Sequence, residues 1–160
     1  MAKGKRTATH EPRIANRRAH HDYHVHESLE VGLALLGSEV KSIRAGQVSL
    51  GEGFARVEPA TGEMFLYNVD IAPYTQAGPL GHEPKRPRKL LAHKRQIAKL
   101  LTATGAKGFT LIPLAMYFVR GKVKLEIGVC SGKRQSDKRE DMKKKDADRS
   151  IRQAMTRKKL

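Results

Sequence analysis

Residues 29–46 read LEVGLALLGSEVKSIRAG, and the two halves of this stretch obey different periods. In the first half Leu29, Val31, Leu33 and Leu35 alternate with Glu30, Gly32 and Ala34, the period-two pattern of a half-buried strand. Gly32 inside that pattern predicts a bulge or a barrel bend. Beyond Gly37 the period changes: Ser38 is placed to cap a helix beginning at Glu39, Val40 and Ile43 lie three apart, and Gly46 can end it. A helix this short is not stable alone in water. It has to dock on the sheet to which the preceding strand belongs, leaving Lys41 and Arg44 outside. The rest of the chain must complete that sheet or decorate it with charge.

Upstream, Asn16–Ser28 contains Tyr23 and Val25 alternating with His24 and His26, as a strand would. Downstream, Phe54–Glu58 and Glu63–Val69 read as two strands joined around Pro59, Ala60, Thr61 and Gly62. Between Pro73 and Pro87, four prolines, two glycines and a histidine predict a long loop. From Pro87 the segment RKLLAHKRQIAKLLTATG predicts a basic helix, with Leu90, Leu91, Ile97, Ala98 and Leu101 on one stripe, Lys and Arg opposite, and Gly105 as the stop. Phe109–Val119 and Lys122–Cys130 flank Arg120 and Gly121 as a long hairpin, whose second arm alternates Val123, Leu125, Ile127 and Val129 against Lys122, Lys124 and Glu126. The expected fold is mainly β with helices: an antiparallel barrel of the oligonucleotide-binding type, with about six strands in meander order, one basic helix, one short helix and a basic C-terminal tail.

A chain of 160 residues fits one domain and buries enough surface for a real core without metal or disulfide. Its net charge of +16 implies a polyanionic partner or an acidic membrane surface, and nucleic acid is the commoner explanation. The single cysteine, Cys130, has no partner for an internal disulfide. The absence of a membrane-length apolar run or a signal-peptide core leads us to expect a cytoplasmic protein without membrane contact. Only 5% of residues are aromatic and none is tryptophan, which favours recognition of backbone and shape over many stacked bases.

The charge is uneven. Residues 1–20 carry +5, 85–99 carry +7 and 131–160 carry +7, whereas 21–84 carry −6 and 100–130 carry +3. This divides the chain into a flexible basic arm (1–15), a barrel body (16–132) and a basic tail (133–160). The arm is expected to order only on binding. The tail has few core-forming residues, yet Asp137 and Glu140 are spaced as a capping box, and Glu140–Lys144, Asp141–Lys145 and Asp148–Arg152 are favourable pairs four apart. Each pair adds only about 0.2–0.5 kcal/mol, so the tail is expected to be disordered when free and helical on a polyanionic surface.

No phosphate-cradling glycine loop, paired-cysteine zinc pattern, nucleophile elbow or metalloprotease helix is present, so no catalytic residue, cofactor or native metal is expected. The cluster His20, His21, Asp22, His24 and His26 comes nearest to a metal site, but it lacks the closed ligand set that a structural site needs. Cys130 reads as a small core residue. The expected phosphate contacts are Lys41, Arg44, Arg88, Lys89 and Lys94, since an ordinary solvated helix would mix signs for self-pairing.

Several blocks carry a resemblance: NRRAHHDY at 16–23, LEVGLALLGSEVKSIRAGQVSL at 29–50, GEMFLYNVDIAPY at 62–74, HEPKRPRKLLAHKRQIAKL at 82–100, GFTLIPLAMYF at 108–118 and GKRQSDKR at 132–139. In this order they resemble the bacterial SsrA-binding protein (small protein B) family, which serves transfer-messenger RNA in rescuing stalled ribosomes. The resemblance implies an oligonucleotide-binding barrel that holds the tRNA-like domain of that RNA near its elbow, where a codon–anticodon arm would stand. It carries RNA contact onto Asn16, His21, Glu30 and Leu91, with Tyr23, Lys133 and Arg134 as neighbours of the RNA. A carboxylate near phosphate is repelled, so Glu30 would accept hydrogen bonds from base amines or sugar hydroxyls, or orient a nearby Arg. The family's tail motif falls on Asp137, Lys138 and Arg139, which would sit at the ribosomal decoding centre while the following helix lies in the empty message channel. Ala92 in the family's leucine run and His24 after Tyr23 depart from the pattern. The implied function is a non-enzymatic, monomeric adaptor that delivers alanyl-charged transfer-messenger RNA with elongation factor Tu. A general ribosome-associated barrel without a dedicated RNA is the alternative, and a metal-dependent nuclease using the histidine cluster is a more distant one.

Overall fold

The computed structural model describes residues 11–157. In chain order the elements are β1 (Ile14–Ala15), α1 (Arg17–Asp22), β2 (Tyr23–Leu33), α2 (Gly37–Arg44), β3 (Val48–Ser49), β4 (Phe54–Glu58), β5 (Glu63–Tyr67), β6 (Asp70–Ile71), β7 (Arg88–Leu91), α3 (Lys94–Gly105), β8 (Phe109–Val119), β9 (Lys122–Gly132) and α4 (Gln135–Arg157). Residues 1–10, most of the arm identified above, lie outside the described residues. The arm's boundary needs correction all the same, because Ile14 and Ala15 pair with Met116 and Ala115 and so belong to the sheet.

Six strands close a ring in the order β8, β4, β5, β7, β2, β9 and back to β8, with every pair antiparallel. The barrel is as expected; the meander order is not. β2 lies between β7 and β9, so an N-terminal strand sits against the C-terminal hairpin, from Tyr23 opposite Gly132 to Gly32 opposite Lys124. Alternation along each strand sends Val31, Ala55, Val57, Met64, Leu66, Leu90, Leu111, Met116, Leu125 and Ile127 into one core. Ile43 of α2 and Leu100 of α3 close it. Each such side chain contributes about 1.5–3 kcal/mol when fully buried, which is what holds the short α2 in place.

The helix expected from Pro87 starts later. Residues 88–91 form β7, with Arg88 and Leu90 inward and Lys89 and Leu91 outward, because the ring needs a strand between β5 and β2. α3 begins only where the His93 amide donates to Gln96 Oε1 at 3.0 Å, and its inward stripe is Ile97, Leu100 and Ala103. α2 also starts differently: Glu39, not Ser38, caps it, by accepting the Leu36 amide at 2.8 Å. Ser38 Oγ instead meets His82 Nδ1 at 2.9 Å.

The bulge expected at Gly32 falls between Val25 and Glu27. Gly32 serves close approach, since a Cβ there would sit 3.3 Å from Leu91 Cβ. A second register shift lies between Pro113 and Ala115, where proline has no amide to offer a ladder. The carbonyls freed there are taken by Asn16: its backbone amide donates to Leu114 O at 2.7 Å and its Nδ2 to Pro113 O at 2.8 Å.

The tail is a continuous helix over Gln135–Arg157 with no buried residue. Its start also differs from expectation: Asp137 accepts the Arg134 amide at 3.1 Å, so Asp137 is the third helical residue reaching back and Glu140 takes no part. No helix among the described residues is long and apolar enough to cross a membrane.

Candidate nucleic-acid interface

Two groups of the residues singled out in the sequence come together, on different parts of the surface. The first lies on the outer face of β2, β7, β8 and β9. Gly32 sits between Leu91 on one side and Lys124 on the other, while Glu30 faces Glu126 and Tyr117 faces Lys124. Two glutamates directly opposite repel each other. Here both are engaged: the Tyr117 hydroxyl donates to Glu30, and Arg13 Nη2 donates to Glu126 at 3.2 Å. The Arg13 guanidinium also lies 4.8 Å from the Tyr117 ring centroid. Burial, then the hydrogen bond to Glu30, pushes the Tyr117 hydroxyl up to about 12, so it stays a donor across working pH. Glu30 remains exposed, with lone pairs free for amine or hydroxyl donors.

Beside it Leu91 is 51% exposed. It borders a recess of about 410 Å³ floored by Leu33, Leu35, Val40 and Val123 and rimmed by Lys122 and Lys124. Lys89, two residues away on the same face, is ion-paired with Glu63. Sequence reasoning placed Lys124 outward but did not single out Tyr117 or Arg13. Their role depends on a register between strands that composition does not disclose.

The second group joins α1 to the root of α4. Asp22 accepts from Lys138 Nζ at 3.0 Å and is bonded by His21 Nδ1 at 2.9 Å. The His21 and Lys138 bonds hold its carboxyl at about 2, well below the usual value. Asp137 meets His24 Nε2 at 3.3 Å, and that contact with the Arg134 amide also lowers its carboxyl. Lys133 donates to His20 O at 2.9 Å and to Asp141. Asp137 and Lys138 of the tail motif are therefore docked on the body, and Arg139 alone points outward. Arg134 is exposed at the junction, His21 is exposed, and Tyr23 is half-buried against the minor core of Ala19, Ile112, Leu114 and Cys130. Burial raises the Cys130 thiol to about 11.

Two expected contacts are corrected. Arg88 is not on a solvated helix but fully buried, donating to Glu39 Oε1 at 2.8 Å, Val69 O at 2.7 Å and Pro84 O at 2.9 Å. Asn16 is 3% exposed, and its side chain accepts the Ala19 amide while donating to Leu50 and Pro113 carbonyls. Asn16 caps α1 and fixes where His21 and Tyr23 stand, a positioning role.

The run of seven bases at 85–99 is also less free than its composition implies. Arg86 and Arg88 pair with Glu39, Lys89 with Glu63 and Lys99 with Glu27, so the acidic segment 21–84 supplies the partners. Lys94 stays exposed, as do Lys41 and Arg44, which lie 5.0 and 5.2 Å from the Tyr74 and Phe118 rings. The histidines disperse: His24 turns to Asp137, while His26 meets Ser131 Oγ at 2.7 Å and packs on Phe109. No group of three metal-ligating side chains gathers among the described residues.

The SmpB protein family model matches residues 13–157. The chain is 54% identical to the SsrA-binding protein of Carboxydothermus hydrogenoformans, over 88% of this chain and 93% of that protein. It is 52% identical to the SsrA-binding protein of Anoxybacillus flavithermus, over 87% and 89%. A chain in the solved structure described as "tmRNA-SmpB: a journey to the center of the bacterial ribosome" superposes with a TM-score of 0.66 at 46% identity, covering 81% of this chain and 93% of that one. A family model that covers residues 13–157 and relatives about half identical over most of their length show that the chain belongs to the SmpB, or SsrA-binding protein, family.

Proposed function

We propose that this protein is the RNA-binding adaptor of trans-translation: it binds the tRNA-like domain of transfer-messenger RNA and brings it to stalled ribosomes. Membership of the family, together with likeness to a chain solved with that RNA, is the observation that carries the reading. The body holds the RNA through the Glu30–Leu91 face and the neighbourhood of His21 and Tyr23. The tail then enters the decoding centre with Arg139 leading and Asp137 and Lys138 at its root, and α4 runs along the message channel. An outward, unburied helix rich in lysine and arginine fits a groove lined by phosphate. The protein works as a monomer in the cytoplasm and travels with elongation factor Tu. It performs no chemistry itself.

Binding of the tRNA-like RNA is expected to be strongly salt-dependent. The slope of log K against log salt should be about −0.7 to −0.9 for each phosphate neutralised by Lys41, Arg44, Lys94, Lys124 and their neighbours. A titration series across salt concentrations measures it, and a flat response would remove the electrostatic account.

Glu30→Ala should weaken that binding about 10- to 150-fold, since a charge-assisted hydrogen bond is worth roughly 1.5–3 kcal/mol. Glu83→Ala removes the same charge from an exposed loop position and should leave affinity unchanged or slightly improved. Equal behaviour of the two variants would return Glu30 to an ordinary surface residue.

A further inference from the structure

The chain has only eight Phe and Tyr residues, yet three of them share one outer sheet face. In β4 and β5, Ala55, Val57, Met64 and Leu66 point into the core. Alternation therefore sends Phe54, Arg56, Phe65 and Tyr67 outward. The register sets Phe54 opposite Tyr67 and Arg56 opposite Phe65, with Lys89 of β7 on the other side of Phe65. The Phe54 and Tyr67 rings are stacked, with centroids 5.4 Å apart and planes inclined by 22°, and Phe65 lies 6.5 Å from Tyr67. All three rings are half-buried and Arg56 is exposed.

The surroundings of this row suit a nucleotide. A recess of about 270 Å³ opens between Arg56, Val57, Glu58, Pro59 and Tyr67. On the other side of Arg56 a groove of about 510 Å³ runs between Phe54 and Val57 of β4 and Thr104, Phe109 and Thr110. That groove lies at the thinnest joint of the ring, where β4 and β8 share the single residue pair Ala55–Leu111. Glu63 engages Lys89, so Arg56 carries the phosphate contact on this face. The row is also continuous with the face described above, because Leu91 follows Lys89 by two residues on the same side of β7. A polyanion lying over Glu30 and Leu91 passes over Lys89 to reach Phe65 and Tyr67.

We propose that the outer face of β4 and β5 is a stacking platform for unpaired RNA bases, with Tyr67 and Phe65 taking the bases and Arg56 the adjoining phosphate. This rests on the RNA-binding reading of the preceding section and adds a second kind of contact to it. Every base has a flat π-face, so such a platform tolerates sequence and responds to single-strandedness.

The test compares full-length variants against two probes, a short oligouridylate and the tRNA-like RNA. Tyr67→Leu and Phe65→Leu keep apolar cover on the sheet but remove the ring, and each should weaken oligouridylate binding by about 5- to 150-fold. Tyr67→Phe keeps the ring and should keep the affinity. Arg56→Gln should lower the salt slope for oligouridylate by about 0.7. Unchanged melting temperatures show that the variants are folded. Wild-type oligouridylate affinity in both leucine variants would overturn the platform, including in favour of a protein ligand for this face. If the wild-type protein still binds the tRNA-like RNA in that case, only the platform falls; if the wild-type protein binds neither probe, the RNA-binding reading falls with it.

Discussion

Replacing Glu39 with Gln should cost about 3–5 kcal/mol of folding stability, the largest effect expected of any single charge in this chain. Glu39 is fully buried and accepts four hydrogen bonds: from the Leu36 amide, from Arg86 Nε and Nη2 at 3.2 and 2.8 Å, and from Arg88 Nε at 2.8 Å. Burial alone would push its carboxyl up, but the Arg86, Leu36 and Arg88 contacts outweigh it and hold the group below the usual carboxylate range. Glutamine removes the charge and leaves Arg88, itself fully buried, as a cation without a counter-charge. A buried pair can be neutral overall while the loss of one partner is severe. The measurement is a urea midpoint at unchanged slope, with Glu52→Gln as control. Glu52 pairs with Arg18 at the exposed surface, where solvent screens the charges and the loss of one costs little. A Glu39→Gln loss no larger than that of Glu52→Gln would mean that the interior cluster relaxes or hydrates. RNA affinity should fall in the same variant, because Arg88 anchors the strand that presents Lys89 and Leu91.

A chain ending at Gly132 should fold, bind the tRNA-like RNA with nearly full affinity, and tag almost no peptide on stalled ribosomes. The fold survives because β9 ends at Gly132 and α4 has no buried residue. Truncation breaks the ion pairs of Lys138 with Asp22 and of Asp137 with His24, which are partly exposed and of modest worth. Tagging is expected to fail under the function proposed above, in which a protein–RNA complex without an anticodon needs another element to fill the decoding site and the basic tail supplies it. Affinity and tagging, measured side by side, decide the matter; efficient tagging by the short chain would end the decoding-site role. Single substitutions refine it. Arg139→Ala removes the outward side chain and should reduce tagging alone, whereas Lys138→Ala frees the helix root from Asp22 and should also change the angle at which α4 leaves the body.

What could be read from the sequence follows from how local each cause is. The β8–β9 hairpin was legible because Val123, Leu125, Ile127 and Val129 alternate over a long run beside a two-residue turn with φ of 51° and 78° at Arg120 and Gly121. β7 was not legible. RKLL is too short to show a period, and the inward Arg88 reads as surface charge until Glu39, remote in sequence, is seen beside it. The capping role of Glu39 is local, three residues from Leu36, and was masked instead by Ser38, which offers an equally plausible cap. Glu30 and Leu91 became candidates through family resemblance, and only the register through Gly32 explains why they share a face. The stacked Phe54 and Tyr67 were invisible as a pair, since overall aromatic content conceals where the rings are gathered.

The pairing of β2 with β9 has a consequence for how the molecule is made. Tyr23 and Gly132 lie side by side although about a hundred residues separate them in the chain. Contacts of such long range carry a loop-closure cost before they return any stabilisation, and they place this barrel among the slower-folding topologies. Until β9 has been synthesised, the amides and carbonyls along that edge of β2 have no partner in their own chain. A nascent or heat-opened molecule therefore offers an adhesive strand edge to its neighbours, and refolding yield should fall with protein concentration well before stability does.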